Sequence, residues 1–292
     1  MDMKEVAKRM CEEELKASIA YSTIADMEKD TKLKEMLKKI SEDEKRHYEF
    51  WKKVYGSDCK VKINRTLIKL LRKIFGIYFT IKLLERGEED AIFAYTKMME
   101  IIEDPELKKE LGKIIDDERR HEKFLSEKLK DMKAKYVGYI ALGLADAVVE
   151  ITGVHAGFLG ATDNPIMAGL AGIIVGFSAS LSMGGAAYVQ AKHDPDVRPP
   201  VSAAVTLISY LFSVIMLALP YFLLKSVVLA FATSLIIAMI IMGIFIFYSS
   251  VIQDKDFWKE YLETLALLFL TALGSYAFGY ALESILRIKV PI

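Results

Sequence analysis

Only two cysteines occur in the chain, Cys11 and Cys59, and they form no Cys-x-x-Cys pair. No zinc or rubredoxin-type iron site can be built from them. They read as free thiols in a reducing compartment, where disulfides are rare. Net charge is lacking too, since Lys+Arg and Asp+Glu both number 39. Without a basic excess, nucleic acid is excluded as a partner. The N-terminus is charged and helical in pattern, with no signal-peptide apolar region. Finally, charge runs out along the chain. Residues 1–131 hold 30 of the Lys+Arg and 29 of the Asp+Glu, and residues 132–292 hold only 9 and 10. That split reads as a soluble half followed by a membrane half.

What is present is a repeat. Asp43-Glu44-Lys45-Arg46-His47 returns as Asp117-Glu118-Arg119-Arg120-His121, 74 residues later. The same offset carries Glu14 onto Glu88 and Ala20-Tyr21 onto Ala94-Tyr95. Glu-x-x-His places a carboxylate and an imidazole one turn apart on one helix face. One such pair is a weak signal, but two in register with two further Glu residues match the ligand set of a di-iron or di-manganese carboxylate bundle. The expected fold is therefore all-α, a ferritin-like four-helix bundle followed by membrane helices.

Helix 1 is expected over residues 2–29 and helix 2 over 32–54, with Asp30-Thr31 as turn and cap and Gly56-Ser57-Asp58 as the stop. A third bundle helix is expected over 85–102. A fourth starts at Asp104-Pro105 and meets no breaker before Gly138. Between the hairpins, residues 60–82 place Arg65, Lys69, Arg72 and Lys73 on one helical face, with Leu67, Ile68, Leu71, Ile74, Phe75 and Tyr78 around the rest. This pattern suits a helix at the membrane interface, attracted to anionic headgroups. A crossover helix packed on the bundle needs the same apolar stripe.

Five apolar stretches follow, over residues 136–161, 165–191, 200–224, 226–252 and 262–286. Each exceeds the roughly 20 residues that a spanning helix needs. Lys128, Lys130, Lys133 and Lys135 precede the first, Lys192 and Arg198 follow the second, and Lys255 and Lys259 follow the fourth. The other two connections hold only Lys225. The positive-inside rule therefore puts the N-terminus and its bundle in the cytoplasm. Five spans put the C-terminus outside, against the weak contrary signal of Arg287 and Lys289.

Glu14, Glu44, His47, Glu88, Glu118 and His121 offer four carboxylates and two imidazoles for two metal ions. Oxygen and nitrogen ligation without sulfur suits iron, with manganese as the alternative. Asp43 and Asp117 precede the ligand Glu in each copy, as acceptors for the outer nitrogen of a ligand His. Tyr21 and Tyr95 lie two turns beyond Glu14 and Glu88. They can hydrogen-bond a ligand, donate an electron, or simply pack. In the first span Asp146 and Glu150 share a stripe with Gly143, Gly153, Gly157 and Gly160. Ionisable groups at depth point to a transport path unless they are paired or neutral. The glycines are expected to bring a second first span close at a two-fold axis. In the second span Gly172, Gly176, Ser180 and Gly184 form another small-residue stripe beside Met183, whose thioether suits Fe(II) or plain packing. His155 lies off the acidic stripe.

The N-terminal half resembles the ferritin-like superfamily, in particular its erythrin and rubrerythrin branch, through Asp-Glu-x-Arg-His in both copies and the paired Glu14 and Glu88. It differs from rubrerythrin in lacking the four-cysteine iron domain. The membrane half resembles the vacuolar iron transporter family through its five spans, Gly143-Leu144-Ala145-Asp146, and Ser182-Met183-Gly184 followed by Tyr188-Val189. It differs in having only residues 192–199 where family members carry a metal-binding insertion, and Ala187 where a Glu is usual. The whole chain is similar to fusions of the two, the membrane-bound ferritin type. The resemblance implies a homodimer in which Asp146 and Met183 serve the metal path. It implies iron(II) export across the cytoplasmic membrane in exchange for protons, with the bundle gathering, oxidising or sensing iron. The alternatives are a membrane-tethered ferroxidase or peroxide scavenger, and a manganese transporter.

Overall fold

The computed structural model describes residues 3–84, 95–96, 98–99, 102–128 and 132–286. The chain divides into two compact units, Met1–Asp131 and Met132–Ile292. Every described element of regular structure is helical.

In the first unit, α1 spans Met3–Ala25 and α2 spans Thr31–Tyr55. Asp30 caps α2 by accepting from the amides of Lys32 and Leu33 at 2.8 and 3.1 Å. Gly56 ends it in the left-handed conformation at φ 81°, which a glycine adopts without penalty. The helix expected from Asp104-Pro105 is α5, Pro105–Lys128, capped by Asp104 with proline at the first helical position. Residues 129–131, over which the sequence pattern continues α5 towards the membrane, and most of the helix expected over 85–102 lie outside the described residues. Of that helix, residues 95–96 and 98–99 are helical.

The segment over residues 60–82 is two helices, α3 (Arg65–Phe75) and α4 (Ile77–Leu84), parted at Gly76. The second helix follows the packed-crossover reading. Ile77, Phe79 and Ile81 of α4 are buried, and Ile77 and Ile81 pack with Tyr21 and Ile24 of α1 and Leu37 and Ile40 of α2. By contrast α3 buries only Ile68 and leaves Leu67, Leu70 and Ile74 exposed on one stripe. Arg72 pairs with Glu28 of the turn after α1 at 2.9 Å.

The second unit holds five helices long and apolar enough to cross a membrane. These are α6 (Met132–Ala161), α7 (Pro165–Ala191), α8 (Pro199–Leu223), α9 (Val227–Ile252) and α10 (Phe257–Leu286). They make a multi-pass membrane unit. Asn164 caps α7 and Ser226 caps α9. The acid-bearing helix α6 is central and touches all four others. Its core neighbours include Tyr210, Val214 and Leu217 of α8 and Ala238 and Met242 of α9. Many outward residues, such as Ile174 and Phe177, are exposed, as a lipid-facing surface requires.

The glycine stripe of α6 is covered by the same chain, which corrects the expected pairing with a second first span. A methyl on Gly153 would lie 3.0 Å from Thr271, and one on Gly160 would lie 2.5 Å from the Tyr276 carbonyl, both on α10. Gly143 faces Thr206 and Ser209 of α8. The physical reason is availability. A helix joined by its own chain finds the small-residue groove without the entropy cost of association.

Candidate functional site

In the first unit the described residues expected to bind metal sit on the core stripes. On α2 the stripe runs Leu37, Ile40, Glu44, His47, Trp51, and on α5 it runs Leu111, Ile114, Glu118, His121. On α1 it runs Ala7, Met10, Glu14, Tyr21. Hydrophobic packing of these helices therefore forces three carboxylates and two imidazoles into one place. A buried charge is costly unless it is paired or binds a metal.

Glu14, Glu44, His47 and Glu118 each place a ligand atom within 4.8 Å of the others. The Nδ1 of His47 lies 2.9 Å from Glu118, 3.3 Å from Glu44 and 3.7 Å from Glu14. The Nδ1 of His121 lies 3.1 Å from Glu44 and 3.6 Å from Glu118. Despite these distances neither Nδ1 has a hydrogen-bond partner among the described residues. Two buried imidazole nitrogens thus aim at carboxylate oxygens without bonding them. The donor set fits a metal ion lying between them. Glu88 lies outside the described residues.

The outer nitrogens are bonded crosswise. Asp117 accepts from His47 Nε2 at 3.3 Å, and Asp43 accepts from His121 Nε2 at 3.2 Å. Each aspartate thus serves the histidine of the other helix. Arg46 pairs with Asp43 and Arg120 with Asp117. A proton held on Nε2 leaves the Nδ1 lone pair for a metal.

Without metal the cluster keeps protons. Burial alone would lower His47, but Glu118, Glu14 and Glu44 around it push it up to about 12. Burial works against His121 too, and Glu118 and Glu44 push it up to about 10. Glu14 is held well above the usual carboxylate range by burial and by Glu44. Burial would raise Glu44, but His121 and His47 hold it well below that range.

The Tyr95 hydroxyl donates to Glu14, and Tyr21 is buried in the cluster formed with α4. Trp51, which the sequence reading passes over, is fully buried with its ring 5.1 Å from that of Tyr95. Its place one turn beyond His47 on the same stripe is the signal that marks it.

The free-thiol expectation is corrected. Cys11 and Cys59 form a disulfide across 48 residues, with Cα atoms 6.3 Å apart. Cys11 lies on the buried face of α1, one turn before Glu14. The left-handed turn at Gly56 sends the chain back, and Tyr48 holds it by donating to Asp58 at 2.6 Å. Cys59 is thereby brought within bonding range of Cys11.

In the membrane unit Tyr210 of α8, fully buried, donates its hydroxyl to Glu150. The sequence pattern does not reveal this tyrosine, because nothing marks it within an apolar span. Asp146 lies one turn before Glu150 on α6. Met183 of α7 packs on the core cluster that includes Val148, Ile151 and Tyr210. His155 is wholly buried, its ring tilted at 40° to that of Tyr221 of α8 with centroids 4.1 Å apart, and a methyl on Gly172 of α7 would lie 2.2 Å from its Nε2.

Comparison of the chain with family models, with curated proteins and with solved structures found no match in any of the three.

Proposed function

We propose that the protein exports iron(II), with manganese as the alternative cargo, across the cytoplasmic membrane in exchange for protons. In this reading the first unit is a ferritin-like bundle on the cytoplasmic side that holds two metal ions, and the protein is a homodimer. The observation that carries the proposal is one chain holding both a buried Glu/His cluster and paired acids inside an apolar helix. Glu14, Glu44, His47, Glu118 and His121, with Glu88 by the repeat, would hold the metals. The bound ions would supply one-electron redox chemistry to the bundle. Asp43 and Asp117 orient the histidines, and Arg46 and Arg120 pair with those aspartates.

In the membrane unit Asp146 and Glu150, one turn apart on α6, would receive the cation, because charged groups at membrane depth need a partner of opposite sign. Tyr210 fixes Glu150, and Met183 adds a soft ligand that favours Fe(II) over Mg(II) or Ca(II). Uptake of Fe(II) into liposomes by the reconstituted protein tests this. Asp146→Ala should abolish uptake while metal in the bundle is unchanged. Wild-type uptake by Asp146→Ala would sink the proposal.

A second reading is a membrane-tethered ferroxidase or peroxide scavenger. It is favoured by the Tyr95 hydroxyl on Glu14 and by Trp51 behind it, which join the cluster to the interior of the unit.

A further inference from the structure

We propose that Cys11 and Cys59 are a redox couple that delivers two electrons to the Glu/His cluster for the reduction of a peroxide. The proposal rests on the reading of that cluster as a metal centre. Four observations on the described residues lead to it. Cys11 precedes Glu14 by one helical turn, so the sulfur and the carboxylate share the buried face of α1. The disulfide belongs to the same buried cluster as Trp51 and Tyr95. The rings of Trp51 and Tyr95 are 5.1 Å apart, and the Tyr95 hydroxyl bonds Glu14, so an aromatic route to the Glu/His cluster runs through the core that holds the disulfide. The indole Nε1 of Trp51 is buried without a hydrogen-bond partner, so a proton on it is not held by a neighbouring acceptor.

The two sulfurs also differ in access. Cys11 is 0% exposed, whereas Cys59 is 6% exposed and sits in the largely exposed connection between α2 and α3. An outside dithiol therefore meets Cys59 first. Cytoplasmic disulfides are commonly transient and catalytic or redox-sensing. With the bundle on the cytoplasmic side, this pair belongs to that class.

The chemistry balances. The two thiols give up two electrons and two protons and form the S–S bond. The O–O bond of the peroxide breaks, and hydrogen peroxide takes up those electrons and protons to leave as two waters. The disulfide then reopens by exchange. The thiolate of an external dithiol attacks the Cys59 sulfur, and Cys11 leaves as a thiolate. The second external thiol then releases Cys59. This return of electrons also answers a difficulty of the export reading, because a centre that oxidises iron must regain Fe(II) before an Fe(II) path can use it.

The test uses the full chain in detergent. The protein is reduced with a phosphine, freed of reductant and loaded anaerobically with Fe(II). It then receives hydrogen peroxide at two equivalents per chain. Thiols are counted after denaturation, bound iron is measured, and the mass is recorded. The expected result is loss of both thiols per chain, with a mass lower by two hydrogens. The Glu44→Ala, Glu118→Ala double variant given the same iron should keep both. Trp51→Phe should slow the loss with iron binding unchanged, and Tyr95→Phe should slow it per iron bound, since its hydroxyl also holds Glu14. Iron bound and both thiols retained would overturn the redox assignment alone and leave a structural disulfide. No iron bound would overturn the metal reading and this proposal with it. Thiol loss at wild-type rate in both aromatic variants, or at the same rate in the double variant, would also overturn the proposal.

Discussion

Metal loading of the first unit should release protons, and its affinity should climb steeply with pH. In the metal-free unit His47 is pushed up to about 12 and His121 to about 10, so both are protonated near neutrality. Glu14 is held well above the usual carboxylate range by burial and by Glu44. A metal takes the lone pairs that these protons occupy, so the protons must leave. For His47 at pH 7 the deprotonation costs about 7 kcal/mol, five pH units at 1.36 kcal/mol each. For His121 it costs about 4 kcal/mol. Metal binding has to offset both. The sign follows directly. Raising the pH lowers the deprotonation cost, so affinity rises. The slope should be about two log units per pH unit from the histidines. Manganese(II) is the suitable probe because it is not oxidised during the titration. Calorimetry in two buffers of different ionisation enthalpy gives the proton count, and titrations from about pH 6 to about pH 8 give the slope. A flat affinity over that range, or release of fewer than about one proton per filled cluster, would refute the charge assignment.

Three more outcomes are expected. The metal-free unit should lose stability at alkaline pH, because raised histidines contribute fully below their ordinary value and lose that contribution as pH rises through about 10 and then about 12; chemical denaturation of the unit at stepped pH, with and without metal, measures this. Gly279→Ala would put a methyl 2.1 Å from the Gly157 carbonyl, forcing α10 from α6 at a cost of about 1–3 kcal/mol, whereas Gly274→Ala meets nothing within 4 Å and should unfold in detergent as wild type does. Leu70→Trp, on the exposed stripe of α3, should shift its emission to the blue when the protein is mixed with anionic vesicles and lose that shift in high salt; an unchanged spectrum at low salt would show that α3 stays in water.

The spacing of the repeat makes the cluster legible in the sequence, because a helix converts register into a face. It places Glu44 with His47 and Glu118 with His121. It does not show that each aspartate crosses to the opposite histidine, since that depends on how α2 and α5 approach. The five apolar helices are legible from length alone. The partner of the α6 glycines is not, because a small-residue groove specifies closeness and leaves open which helix fills it. The disulfide is hidden for a related reason. Cysteines 48 residues apart carry no local signal, and only the turn at Gly56 brings Cys59 home. Tyr210 stays hidden because one tyrosine in an apolar span looks like packing until Glu150 is seen beside it.

The crossed aspartate–histidine bonds make the two halves of the repeat answerable to each other. Changing Asp43 leaves the outer nitrogen of His47 bonded and frees that of His121, on the far copy. Damage to either motif is therefore felt at the opposite one. A double-mutant cycle should show strong coupling between Asp43 and His121 and weaker coupling between Asp43 and its own neighbour His47. The duplicated segments, similar enough to be read as two independent sites, work as a single reciprocal lock in which neither copy can be rewritten alone.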